Sequence, residues 1–167
     1  MGKTLENLQA AFAGESQANR KYLAFATKAE ADGFLQIGKL FRAAAAAETV
    51  HAHGHLKAMD GVGDTGANLR DAVAGESHEY KDMYPGFIAT AKEEGNKKAL
   101  RMFEWANVVE EIHCGLYENA LATYEKGGDL PAEDIWVCGV CGNTVGGDCP
   151  DKCSVCGVPA SKFDKID

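Results

Sequence analysis

The sequence predicts a mainly α protein: a four-helix bundle followed by a small β domain stapled by a metal. Three observations carry this. Four stretches between residues 4 and 126 repeat apolar side chains at alternating three- and four-residue steps, which keeps one face of an α-helix apolar. Each of those faces is interrupted near its middle by glutamate. Five of the six cysteines fall within the last thirty residues, as Cys138, Cys141, Cys149, Cys153 and Cys156.

The first helix carries Leu5, Leu8, Phe12, Glu15, Asn19, Tyr22 and Ala26, with Thr4 as its expected N-cap. "ADG" at 31–33 ends it, and Gly33 suits a left-handed cap. The second runs through Phe34, Ile37, Phe41, Ala44, Glu48, His51 and His55 to Asp60-Gly61. The third runs through Leu69, Val73, Glu76, Tyr80, Met83 and Phe87 to Gly95, and Pro85 inside it should kink or locally open it. The fourth carries Ala99, Phe103, Ala106, Glu110, His113, Tyr117, Ala120 and Tyr124 and ends at Gly127-Gly128. The expected division is therefore a bundle over 1–128, a linker over 129–135 ("DLPAEDI"), and a second domain over 136–167.

The helical part is written twice. "AGES" occurs at 13–16 and 74–77, so Glu15 and Glu76 lie 61 residues apart, while Glu48 and Glu110 lie 62 apart. "AETVH" (47–51) and "VEEIH" (109–113) both contain Glu-x-x-His, which sets a carboxylate and an imidazole on one face a turn apart. Glu76 and Glu79 repeat the spacing with two carboxylates. Helices one and two read as a diverged copy of helices three and four.

A lone glutamate on an apolar stripe usually sits at its edge and reaches solvent. Glu15, Glu48, Glu76, Glu79 and Glu110 together, with His51 and His113 at fixed offsets, call for a different account, because unpaired buried charge costs several kcal/mol or more. Two iron ions bring +4 or +6 against five carboxylates, which points to a pair of metals. Tyr22 and Tyr84 follow Glu15 and Glu76 by about two turns; they are core tyrosines or hydrogen-bond partners of those carboxylates.

The tail reads "CGVCG" at 138–142 and "CSVCG" at 153–157. Two C-x-x-C knuckles, each followed by glycine, signal a tetrahedral thiolate site, with zinc and iron both open on spacing alone. About thirty residues cannot fold without such a staple. Cys149 reads as a spare thiol and Cys114 as a packing residue. His55 shares the stripe of the second helix, whereas His53 and His78 point elsewhere.

The net charge of −8 excludes nucleic acid as a partner, since phosphate binding needs a basic face. No stretch is long and apolar enough to span a membrane. With no secretory pattern and clustered cysteines suited to a reducing compartment, the expected location is cytoplasmic.

Glutamate from two helices with Glu-x-x-His from two others is the ferritin-like carboxylate pattern. Joined to a rubredoxin-like knuckle pair, the chain closely resembles the rubrerythrins along essentially its whole length. The most specific pieces are "AFAGESQANRKY" (11–22), "AETVHA" (47–52), "GESHEYKDMYPGF" (75–87), "EEIH" (110–113) and "WVCGVCG" (136–142). The resemblance implies a ferritin-like bundle in which Glu48 and Glu110 bridge two irons. Glu15 and Glu79 would complete one iron, and Glu76 and His113 the other, with Glu79 and His51 exchanging on reduction. Tyr22 and Tyr84 match tyrosines beside the site, and Cys138, Cys141, Cys153 and Cys156 match the ligands of a mononuclear iron.

The implied activity is reduction of hydrogen peroxide to water, with electrons relayed through the tetrathiolate iron. No nucleotide-binding fingerprint is present, so an external donor, a reductase or a rubredoxin-like carrier, must supply them. A ferroxidase, or a metal-buffering bundle with a structural zinc ribbon, are the alternatives. The connection between helices two and three also looks short. In ferritin-like topology it must climb about 30 Å, whereas residues 61–67 span about 25 Å at most. The expectation is a homodimer that swaps helices one and two between chains.

Overall fold

The computed structural model describes residues 2–166. It divides into two compact units, one ending at Gly63 and one beginning at Asp64.

The first unit is a helical hairpin of α1 (Lys3–Ala31) and α2 (Leu35–Ala58). Helix α1 starts a residue ahead of Thr4. Its N-cap is Gly2, whose carbonyl takes the first helical hydrogen bonds from Leu5 and Glu6, so Thr4 lies inside the first turn and caps nothing. Gly33 has φ 88° and lets the Phe34 N–H close onto Ala29 O at 2.8 Å, the turn the sequence predicts. At the other end Asp60, not Gly61, takes the left-handed conformation, at φ 54°. Aspartate tolerates that region, while a Cβ on Gly61 would fall 2.5 Å from Leu56 Cδ1.

The seam of the hairpin is made of small residues. Ala26 and Ala29 of α1 and Gly38, Ala45 and Ala52 of α2 are its buried positions. A Cβ on Gly38 would lie 3.3 Å from Ala26 O and 2.6 Å from Glu30 Cγ, so the backbones approach closely there. Polar ties cross the seam as well. Asn19 Nδ2 donates to Ala45 O at 2.7 Å and to Thr49 Oγ1 at 2.8 Å, and Arg42 grips Glu30 through two bonds of 2.7 and 2.6 Å.

In the second unit, α3 (Thr65–His78) is capped by Asp64, whose side chain accepts from the Ala67 N–H at 2.7 Å. A π turn, Glu79–Met83, follows and passes into α4 (Tyr84–Glu93). The third sequence helix is therefore opened just before Pro85, which cannot donate into the preceding turn. Helix α5 (Lys97–Glu125), capped by Asn96, packs against both α3 and α4.

Strands β1 (Ile135–Cys138), β2 (Thr144–Gly146) and β3 (Phe163–Ile166) form an antiparallel sheet in the order β2-β1-β3. Ile135, expected in the linker, pairs with both Gly146 and Ile166 and so belongs to the sheet. Cys138, Cys153 and Phe163 form its core, with Trp136, Val145, Cys149 and Val158 packed around them. The chain is thus helical bundle elements followed by a small β domain, the fold class expected. No described helix is long and apolar enough to cross a membrane.

Candidate metal centres

Three clusters of donor side chains stand out among the described residues. Glu15, Glu48 and His51 bring one donor atom each within 4.8 Å of one another in the first unit, and Glu76, Glu110 and His113 do so in the second. The third cluster is Cys138, Cys141, Cys153 and Cys156. All six cysteines are free thiols.

The helical period explains both triads. Each histidine sits three residues after its glutamate, so His51 Nδ1 lies 3.0 Å from Glu48 Oε2, and His113 Nδ1 lies 2.9 Å from Glu110 Oε2. The second pair is fixed further by the β domain. His113 Nε2 lies 2.9 Å from Thr144 Oγ1, and that hydroxyl donates to Gly142 O at 3.2 Å. With its proton spent on Gly142, Thr144 accepts the Nε2–H of His113. The Nδ1 lone pair then faces a carboxylate oxygen, an arrangement that either a proton or a metal ion between the two holds together. A separation of about 3.0 Å is also what two adjacent donors on an octahedral ion require at about 2.1 Å from the metal. The donor sets fit metals.

Charge gathers in the second triad. Burial, then the negative charge of Glu110, pushes the Glu76 carboxyl above the ordinary range. Burial, then the charges of Glu110, Glu79 and Glu76, raises the Tyr84 hydroxyl. Glu79 and Tyr84 therefore share the electrostatic environment of the triad, although Glu79 lies outside its 4.8 Å set. Tyr22 packs in an aromatic group with Phe25 and Phe41. Outside these sets, His78 pairs with Asp82 on the surface, 3.4 Å away, and His55 joins neither triad.

The thiolate set is built from both knuckles. Cys138 Sγ lies 3.6 Å from Cys156 Sγ, and Cys141 Sγ 3.6 Å from Cys153 Sγ. A tetrahedron with metal–sulfur bonds of about 2.3 Å has edges near 3.8 Å, so the four sulfurs already outline it. Gly142 and Gly157 have φ of 86° and 77° and turn the chain back under the sulfurs. Burial works against a thiolate at Cys153, yet the backbone N–H groups of Cys156 and Val155 bring it down to about 6. Asn143, buried beside it, directs its Nδ2 to Cys153 Sγ at 3.8 Å. Cys149 packs on this core without joining the four, and Cys114 is buried with its thiol raised by burial.

Sequence reasoning missed Thr144 and Asn143. Neither belongs to a motif, and the His113–Thr144 bond joins positions 31 residues apart. Only the packing of the β domain on α5 reveals it; a Cβ on Gly142 would touch Val109 Cγ1 at 3.8 Å.

Comparison with known proteins agrees with this geometry. The family model described as rubrerythrin matches residues 6–121, and that described as the rubrerythrin rubredoxin-like domain matches 136–164. Rubrerythrin-2 of Clostridium acetobutylicum is 34% identical, over 96% of this chain and 95% of that protein. Nigerythrin of Nitratidesulfovibrio vulgaris is 39% identical, over 98% of this chain and 86% of its own length. Among solved structures, the partially reduced state of nigerythrin superposes with a TM-score of 0.59 at 34% identity, covering 99% of this chain and 88% of that one.

Proposed function

The chain belongs to the rubrerythrin family, and from that premise we propose that it is a peroxidase reducing hydrogen peroxide to water. The reaction takes two electrons and two protons per peroxide and releases two waters. The observation that carries the reading is the His113–Thr144 bond, which ties a carboxylate–histidine triad to a tetrathiolate set in one chain. Such a link has a purpose where electrons pass between the two.

The ligand sets are those of a rubrerythrin di-iron site and a rubredoxin-like tetrathiolate iron. When bound, the iron pair supplies Lewis acidity and one electron per ion, and the tetrathiolate iron is the one-electron relay. Glu15, Glu48, His51, Glu76, Glu79, Glu110 and His113 would hold the pair. Tyr84, whose hydroxyl is held protonated by burial and by the charges of Glu110, Glu79 and Glu76, keeps a proton on this face. Thr144 holds His113 through Nε2 and leaves Nδ1 for the metal. Gly142, the other partner of Thr144, follows Cys141 directly, so bonded atoms lead from thiolate to imidazole. The electron donor is a separate reductase or a rubredoxin-like carrier, and the free cysteines suit a reducing cytoplasm.

We further propose that each di-iron site combines Glu15, Glu48 and His51 of one chain with Glu76, Glu79, Glu110 and His113 of another. Helix α2 ends at Ala58 and α3 begins at Thr65. Glu48 to Ala58 and Thr65 to Glu76 together rise about 31 Å at 1.5 Å per residue. The span from Ala58 to Thr65 reaches about 25 Å at most. Exposed Leu40 and Val50, both 69% accessible, also want a partner surface. In this reading the bundle ends near 128 and the rubredoxin-like domain begins at Ile135, the first residue of β1.

The test is anaerobic. The iron-loaded protein is fully reduced, one equivalent of hydrogen peroxide is added, and the visible absorption of the tetrathiolate iron is followed. Rapid return of the ferric colour is expected, with none in a Glu48→Ala/Glu110→Ala variant. A tail that stays reduced would favour the ferroxidase, and a colourless tail the zinc ribbon.

A further inference from the structure

From Tyr22 onward the helical region repeats at an offset of 62 residues, and the structure follows the repeat. Phe41 matches Phe103, Glu48 matches Glu110 and His51 matches His113. Gly33 and Gly95 both take positive φ, at 88° and 67°. Ala29 and Ala91 are both buried, as are Ala52 and Cys114. Each position on α2 can therefore be read against its match on α5.

One face breaks the agreement. On α5, Val109 is 2% exposed, the His113 side chain is 24% exposed, and Ile112 is half-buried. The β domain sits on the first two: His113 Nε2 meets Thr144 Oγ1, and a Cβ on Gly142 would touch Val109. The matching residues of α2 are Ala47, His51 and Val50. Ala47 is exposed, the His51 side chain is 56% exposed, and Val50 is 69% exposed. His51 keeps the contact of its counterpart, Nδ1 to Glu48 Oε2 at 3.0 Å. Its Nε2 edge then corresponds to the one that Thr144 meets on His113.

The proposed helix exchange packs the face that carries Glu48. Val50 lies two residues on, about 160° round the helix, so it needs a different neighbour. Its side of the helix is basic. Lys39, Val50 and Lys57 are spaced by eleven and seven residues, close to whole turns, and both lysines are exposed. Glu48 is the one acidic residue of α2, beside Lys39, Arg42, Lys57 and three histidines, in a chain of net charge −8. An exposed apolar side chain set between lysines suits an acidic partner with an apolar contact point.

We infer that the face of α2 formed by Ala47, Val50 and His51 is a docking site for a separate, acidic carrier of rubredoxin-like fold, seated there as the chain's own β domain is seated on α5. The repeat identifies the fold of the occupant, because the matching face already holds a rubredoxin-like knuckle. Stoichiometry makes the occupant a separate protein. Each chain has two such faces and one β domain, and that domain is held on α5, so an assembly of identical chains leaves every α2 face over. A carrier on α2 enters beside His51 without passing through the chain's own tetrathiolate. Each docking hands over one electron: the carrier's iron is oxidised from ferrous to ferric, and one ferric ion of the pair is reduced to ferrous. The inference rests on the external rubredoxin-like donor proposed above.

The test titrates zinc-substituted rubredoxin, which can dock but transfers no electron, into the full-length iron-loaded protein and follows binding by calorimetry. Binding that weakens as salt is raised is expected. It should fall about tenfold or more in Val50→Glu and in Lys39→Glu/Lys57→Glu, with helical circular dichroism and oligomeric mass unchanged. Val140→Glu, at the exposed knuckle of the β domain, is expected to leave the affinity in place. Affinity lost in Val140→Glu but kept in Val50→Glu would put the carrier on the tetrathiolate and overturn the inference. A wild type that binds no rubredoxin would also overturn it. So would a Val50→Glu chain of lower oligomeric mass, since a second copy would then be what covers this face. Zinc-substituted rubredoxin is redox-inert, so failure of the peroxidase reading would leave each of these outcomes as it stands.

Discussion

His113 and Thr144 meet at 2.9 Å, imidazole Nε2 to hydroxyl, and this bond joins helix α5 to strand β2. It fixes the tautomer of a triad histidine from within the β domain. Thr144→Val removes the acceptor while keeping the shape. Loss of such an orienting bond typically costs about 10- to 100-fold in metal affinity or activity. The peroxide-driven return of the tetrathiolate colour is expected to slow within that range, with Thr144→Ser restoring it. Unchanged kinetics in the valine variant would remove Thr144 from the path.

The β domain depends on its metal. Structural tetrahedral sites contribute about 10–16 kcal/mol to small domains of this kind, and the core here is only Cys138, Cys153 and Phe163 with their neighbours. Cys153→Ser, or stripping the tetrathiolate metal, is expected to unfold residues 135–166 while the helical circular dichroism persists. Trp136, whose Nε1–H donates to Gly147 O, reports the change by fluorescence.

Glu76 gives the metal-free protein a pH dependence. Burial and the neighbouring Glu110 raise its folded-state pKa above the ordinary 4.5. A group raised in this way contributes stability that is complete below the unfolded value and is lost as pH rises through the folded one. Glu76→Gln should therefore stabilise the metal-free protein at pH 7, by less than about 1 kcal/mol after solvent screening, seen as a raised melting temperature. The gain should shrink as the pH falls toward 4.5. A gain that grew on acidification would contradict the sign.

The proposed helix exchange between chains can be tested by length. Adding about ten Gly and Ser residues within 59–64 costs little loop entropy and lets α3 start beside its own hairpin. The lengthened chain is expected to form a di-iron-loaded species in which one chain supplies both triads. Native mass spectrometry of mixed chains, one lacking His51 and the other His113, would reveal it. A di-iron-loaded monomer of the unaltered chain would refute the exchange.

Most of the chemistry is legible in sequence because it is local. Glu-x-x-His and C-x-x-C put donors within one turn or one knuckle, and the structure brings Glu15, Glu48 and His51, Glu76, Glu110 and His113, and the four cysteines together. Pro85 announced an opening in the third helix, but its proline ring marks only where the disturbance ends. The one-residue offset between the halves held its extent. Thr4 misled as a cap because Gly2 O already receives the first bonds. Thr144 was beyond reach, since its partner lies in another domain of the sequence.

The α1–α2 seam has a consequence for mutational scanning. Its buried positions are Ala26, Ala29, Gly38, Ala45 and Ala52, so there is almost nothing there to truncate. An alanine scan would register the ties around it, Asn19, Arg42 and Phe41, and pass over these five positions. Sensitivity runs the other way: a side chain enlarged at Ala26 or Ala45, 0% and 2% accessible, must push the backbones apart, a change that typically costs about 1–3 kcal/mol. The hairpin is specified by what its residues leave out, and only a scan toward bulk would find it.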